Sequence, residues 1–256
     1  MDQETLEVFV RFHFLHWARC VAMLGPIPIF GEGVGARVGK LGLGIMLGSI
    51  FALNSGMGEF ADPGFGMRLF LCLANEALLG ILFGFVANIA FSAIRIAGHL
   101  IGTEMGFSMA SIQDPITGVN VQVVAHIIES FSFLLFFAVG GHHTLLRALY
   151  QSFDRYRVGE LGLSRELIEA VVIYSSGIFA AAFQLAAPIF VAMILTGVSL
   201  AILAKLAPQL QIMQFAFSFK ILAGIMLILA TLPTLVASMH FIFDRGDQFF
   251  LEITSP

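Results

Sequence analysis

Gly102-Thr103-Glu104-Met105-Gly106-Phe107-Ser108-Met109-Ala110-Ser111-Ile112-Gln113-Asp114-Pro115-Ile116-Thr117-Gly118 lies between apolar runs of near-spanning length, Leu69 to Ile94 before it and Val121 to Leu146 after it. Its glycines, serines and Asp114-Pro115 pair cannot sustain a helix that faces lipid, and Pro115 drives Asp114 toward an extended conformation. Backbone that leaves a helix inside a bilayer strands N–H and C=O groups at a cost of several kcal/mol each. Protein or a water-filled cavity must then satisfy them. On pattern alone two readings stand: a broken, re-entrant segment at a conduit or gate, and an ordinary loop at the membrane surface.

The surrounding composition sets the solvent. Of 256 residues 58% are hydrophobic and 12% charged, with a mean hydropathy of +0.93, outside the balance of a soluble domain. The chain reads as an integral membrane protein. Its 13 basic residues are scattered and the net charge is -4, which argues against nucleic acid and against a polybasic lipid-binding patch. Cys20 and Cys72 sit far apart in apolar segments, as buried thiols do. The start, Met1-Asp2-Gln3-Glu4, is acidic where a secretory leader is basic, so the first apolar segment is taken as a retained span.

A core of ~30 Å needs ~20 helical residues. Runs near that length extend from Phe12 to Phe30, Leu41 to Met57, Leu69 to Ile94, Val121 to Leu146, Ala170 to Ala204 and Ile221 to Phe243. The fold class is therefore an all-α integral membrane protein of about five to six long, kinked helices, interrupted by the broken, re-entrant or surface segment above. Short punctuation at Gly31 to Lys40, Gly58 to Arg68 and Gln151 to Glu169 leaves no separate soluble domain. Ala170 to Ala204 exceeds one perpendicular span, with Pro188 as its expected bend. Lys205, Pro208 and Gln209 make the turn of a long helical hairpin that Ile221 to Phe243 completes. Gly39, Gly42, Gly44 and Gly48 recur at spacings that suit close helix packing. Charge asymmetry does not orient the chain: Arg37, Lys40, Arg95 and Lys205 vote for one side, and Arg147, Arg155, Arg157 and Arg165 for the other.

Glu76, Arg95, Glu104 and Glu129 are ionisable groups within or at the ends of apolar runs, where charge is expensive and faces a partner or a wet cavity. Arg95 and His99, four apart, share a helix face. Functional roles and buried subunit contacts both account for these residues. His13 and His16, with His126, His142 and His143, raise a metal or haem reading, but no HExxH pattern supports one. Gly31-Glu32-Gly33-Val34-Gly35 lacks the Lys-Ser/Thr of a phosphate loop. No catalytic constellation, cofactor or metal is expected. A small-solute secondary transporter is the main rival class and would need a second discontinuous helix, for which Pro188 is the candidate.

Ala93-Ile94-Arg95-Ile96-Ala97-Gly98, Met105 to Ala110, Asp114-Pro115, Gly140-Gly141-His142-His143-Thr144-Leu145-Leu146-Arg147-Ala148-Leu149 and Leu206-Ala207-Pro208-Gln209-Leu210 together resemble the FliR family of the bacterial flagellar type III export gate. The SctT proteins of virulence secretion are its relatives. The likeness covers nearly the whole chain, and the His142-His143 pair is closer to the flagellar branch. Glu104 departs from a Gln, and His99 from an acidic or amide residue, that many relatives carry.

The resemblance implies a single copy of this chain joined to several FliP-like and FliQ-like subunits in the bacterial inner membrane, at the flagellar basal body. FlhA- and FlhB-like export components, unfolded export substrates and membrane lipid are the further partners implied. It implies a FliP-like part over 1–169 and a FliQ-like hairpin and tail over 170–256. It also implies a pore plug from Phe107 to Val121, with gating residues Met105, Phe107, Met109, Ser111, Gln113, Asp114, Pro115 and Gly118.

Overall fold

The computed structural model describes residues 3–28, 33–55, 60, 62–106, 123–159, 165–207 and 212–254. Among them are seven helices and no strand: α1 (Gln3–Leu24), α2 (Val34–Ser55), α3 (Met67–Glu104), α4 (Val123–Val139), α5 (Gly141–Arg155), α6 (Arg165–Leu206) and α7 (Ile212–Thr254). Four of them, α2, α3, α6 and α7, are long and apolar enough to cross a membrane, and α4 with α5 makes a fifth span if counted as one. The all-helical membrane architecture read from the sequence is the one observed.

Its details differ from the apolar runs: α2 already begins at Val34, inside the stretch read as punctuation, and α3 stays helical past Ile94 to Glu104, through Gly98 and Gly102. The run Val121 to Leu146 is not one helix, because the chain leaves helical geometry at Gly140, where φ is +82°, a left-handed conformation that glycine adopts without steric cost. α6 and α7 reach well past the apolar runs, to 42 and 43 residues, and contain Pro188 and Pro233 within continuous helix. At ~1.5 Å per residue each is ~63 Å long, about twice a hydrocarbon core of ~30 Å. The first run is helical but polar on one face: Arg11, His13, His16 and Arg19 of α1 are all buried against protein, while Leu6, Val10 and Phe14 on the other face are exposed.

Packing divides the chain into two compact units, residues 1–90, 140–176 and 245–256, and residues 91–139 and 177–244. In the first, α1 is clasped by two pairs of glycines, each pair four residues apart. On α2, a Cβ at Gly44 would fall 2.8 Å from the Cα of Val21, and one at Gly48 would fall 3.0 Å from the Cα of Trp17. On α3, a Cβ at Gly80 would strike the carbonyl oxygen of Arg19, and one at Gly84 that of Met23. Without a hydrophobic drive between helices in lipid, such close backbone approach supplies the van der Waals contact that holds them. Trp17 Nε1 adds a hydrogen bond of 2.9 Å to Ser49 Oγ. Gly35, Gly39 and Gly42 instead meet open space.

The second unit repeats the device. A Cβ at Gly98 of α3 would lie 2.8 Å from the Cα of Ala125 on α4, and one at Gly102 would lie 3.3 Å from Val124 Cβ. Phe91, Phe133, Phe136 and Phe243 form an aromatic cluster with ring centroids 4.9–5.4 Å apart.

Gly80→Val should overpack the α1–α3 contact and destabilise the purified chain by at least about 1–3 kcal/mol. Gly42→Ala should be neutral, or stabilising by up to about 1 kcal/mol through helix propensity. Thermal unfolding in detergent measures both.

Candidate functional site

Glu76, selected from the sequence as a costly charge, is fully buried on α3, and its partner is Arg19 of α1. Arg19 Nε donates to Glu76 Oε2 at 2.6 Å. Nη1 donates to the Ser152 carbonyl at 2.8 Å and Nη2 to the Tyr156 carbonyl at 2.8 Å. Both carbonyls belong to the C-terminal end of α5, where negative potential concentrates; the Ser152 carbonyl also accepts from the Tyr156 N–H at 2.9 Å. The second carboxylate oxygen, Glu76 Oε1, accepts from the Gly159 N–H at 3.2 Å. The Arg19 guanidinium also lies 4.4 Å from the Phe153 ring centroid. One buried charge pair thus gathers α1, α3, the end of α5 and the turn beyond it.

Outside the apolar segments, Asp62 accepts a two-pronged bond from Arg11, Nε and Nη2 each at 2.8 Å. That bond holds the Asp62 carboxyl below its ordinary pKa.

In the second unit Arg95 and Glu129 come together: Arg95 Nε donates to Glu129 Oε1 at 2.8 Å, and Nη2 reaches the same oxygen. His126 Nδ1 lies 3.7 Å from Glu129 Oε2. His99, placed on the Arg95 face by spacing, is exposed and takes no part in this pair, and Glu104 is half-buried.

Met105 is fully buried. Its side chain fills a notch on α7: a Cβ at Gly224 would fall 2.5 Å from Met105 Cγ and 2.6 Å from its Cε. Immediately after it, Gly106 turns left-handed, φ +93°, with the Phe217 ring 3.4 Å from where its Cβ would be. The Gly106 N–H bonds the Thr103 carbonyl at 3.0 Å and closes the end of α3. Residue 106, the last described before residue 123, is thus held against α7.

Phe107, Met109, Ser111, Gln113, Asp114, Pro115 and Gly118 lie outside the described residues, as do Pro208 and Gln209. Lys205 is exposed in the last turn of α6, where a cation complements the helix dipole. Cys20 and Cys72 are free, buried thiols. His13 and His16 each place Nδ1 2.9 Å from a carbonyl one turn back, Phe9 and Phe12, and His16 stacks on Phe153. Among the described residues no three His, Cys, Asp or Glu side chains converge. Sequence reading passed over Arg19 as a partner, Gly224 as a notch and Lys220 of α7 altogether. A glycine in an apolar run and a lone basic residue were the available signals.

Residues 10–246 match the family described as bacterial export proteins, family 1. The chain is 29% identical to the flagellar biosynthetic protein FliR of Escherichia coli K12, over 96% of this chain and 94% of that one. It is 30% identical to the FliR protein of Pectobacterium carotovorum, over 96% and 93%. The likeness to the Yop proteins translocation protein T of Yersinia pestis, also 30% identical, covers 59% of each.

Arg19→Leu, which leaves Glu76 buried without its counter-charge, should cost about 3–5 kcal/mol of stability. Glu76→Gln, which keeps an acceptor for Arg19, should cost less. The order of the two, read by denaturant titration of the detergent-solubilised chain, tests the pair.

Proposed function

Because the chain belongs to family 1 of the bacterial export proteins, we propose that it is the FliR-type subunit of the flagellar type III protein-export gate. The observation that carries this reading is likeness along nearly the whole length of flagellar relatives. The shorter likeness to the Yop translocation protein makes the virulence system the related, second reading. In this role the chain is a structural component of the export apparatus, a multi-pass protein of the inner membrane at the basal body. A single copy joins FliP-like and FliQ-like subunits, 1–169 in a FliP-like place and the hairpin from 170 in a FliQ-like one. FlhA- and FlhB-like components deliver unfolded substrates to it.

Gating in this proposal belongs to residues 107–121, which block the pore until substrate opens it. Such a plug is bistable, with the closed state favoured by only a few kcal/mol, so that a bound polypeptide shifts the balance. The seat of Met105 in Gly224 supports a fixed root for it: a plug hinged to a packed helix moves about one point instead of sliding with its whole connection. The large exposed apolar faces of α6 and α7 fit a subunit whose stability depends on neighbours.

Co-expression of the tagged chain with the FliP- and FliQ-type proteins of the same bacterium, followed by native mass spectrometry, tests the assignment. A discrete complex with one copy of this chain supports it; a homo-oligomer indifferent to both partners overturns it. In that complex, deletion of Ser111 to Gly118 should raise ion leak with assembly intact. Gly224→Leu, which evicts Met105, should raise leak in the same direction but less. An unchanged leak in the assembled deletion complex would remove the plug.

A further inference from the structure

Lys220 is a cation on an otherwise apolar stretch of α7. Its Nζ and Cε would lie 3.3 and 3.4 Å from a Cβ built at Gly197 of α6, so the absence of a side chain there makes room for the ammonium. Gly197 is nine residues before the end of α6 and Lys220 eight after the start of α7. At ~1.5 Å per residue the charge lies about 12 Å down the hairpin from its turn. Leu195, Val198, Phe219 and Leu222, close by in sequence, are themselves 52–62% exposed, and Ile221 is half-buried. Among the described residues no carboxylate lies within ion-pair distance of Lys220: the pairs in this unit are Arg95–Glu129, His126–Glu129 and His240–Asp244.

An ammonium amid uncovered apolar side chains is costly in a membrane and is retained where a counter-charge or a wet cavity meets it. We infer that the α6–α7 hairpin is completed by an apolar helix of a neighbouring subunit that sets an Asp or Glu side chain against Lys220. The uncovered leucines and phenylalanines supply the area of contact, and the lysine supplies its register, because a carboxylate one turn higher or lower misses the ammonium by about 5 Å. A lipid phosphate is the poorer occupant, because the ammonium lies against Gly197, nine residues inside α6 and eight inside α7. The inference rests on the export-gate reading for which neighbours to test.

The test uses the co-expressed complex. Lys220→Arg should retain the partner subunits, whereas Lys220→Met and Lys220→Glu should lower their recovery at least tenfold. Changing the matching intramembrane carboxylate of one partner to lysine should restore recovery with Lys220→Glu, which also shows that the variant folds. Wild-type recovery with both Lys220→Met and Lys220→Glu overturns this inference and leaves the export-gate reading standing. Failure of the unaltered chain to gather partners overturns both. An equal loss in Asp114→Asn with no rescue by any partner change would place the counter-charge within this chain, and loss of bound anionic phospholipid with partners retained would assign Lys220 to lipid. Either result overturns the inference.

Discussion

The first unit depends on one guanidinium that has no contact with solvent. Arg19 must have its donors met inside the protein, and it finds them only where α1, α3 and the end of α5 converge. A pair of this kind adds little stability over well-packed apolar residues of the same volume, because both ions are stripped of water. What it adds is exclusivity. Any arrangement that slides α1 along α3 leaves a charge in an apolar interior, so the register of three segments is set by the penalty for being wrong.

Glycine does the complementary work. α3 carries two glycine pairs, at 80 and 84 and at 98 and 102, the first against α1 and the second against α4. Gly224 on α7 makes the same concession to Met105. In each case a missing methyl group lets backbone or thioether come close enough for dispersion to act where no hydrophobic gain is on offer. Charge sets register and glycine sets distance in the same helices.

Much of this was legible in the sequence, and the reasons for the rest are physical. The apolar runs located α2, α3, α6 and α7 because a helix facing lipid must be hydrophobic along its length. The start of α2, the end of α3 and the ends of α6 and α7 were missed because helix continues past the apolar stretch. The break at Gly140 was hidden because a left-handed glycine leaves no mark on hydrophobicity. Glu76, Arg95 and Glu129 stood out as expensive charges. Their partnerships did not, since Arg19 and Glu76 are 57 residues apart and Arg95 and Glu129 are 34 apart. Gly44 and Gly48 were visible as packing glycines, while Gly80, Gly84 and Gly224 were lost among 26 glycines. The gating residues from Phe107 to Gly118 lie outside the described residues, so for them the sequence pattern and the family likeness are the grounds.

The burial of a polar α1 also bears on how the chain is made. Arg19 is translated 133 residues before Ser152 and 137 before Tyr156, whose carbonyls it needs. At about 5–20 residues per second the helix waits roughly 7–27 s for its last acceptors. During that interval α1 has an arginine and two histidines to hide and no pocket to hide them in. A helix made before its neighbours α3 and α5 is thus completed only after them. Until α5 has been made, the Arg19 guanidinium lacks two of the three acceptor residues that bury it.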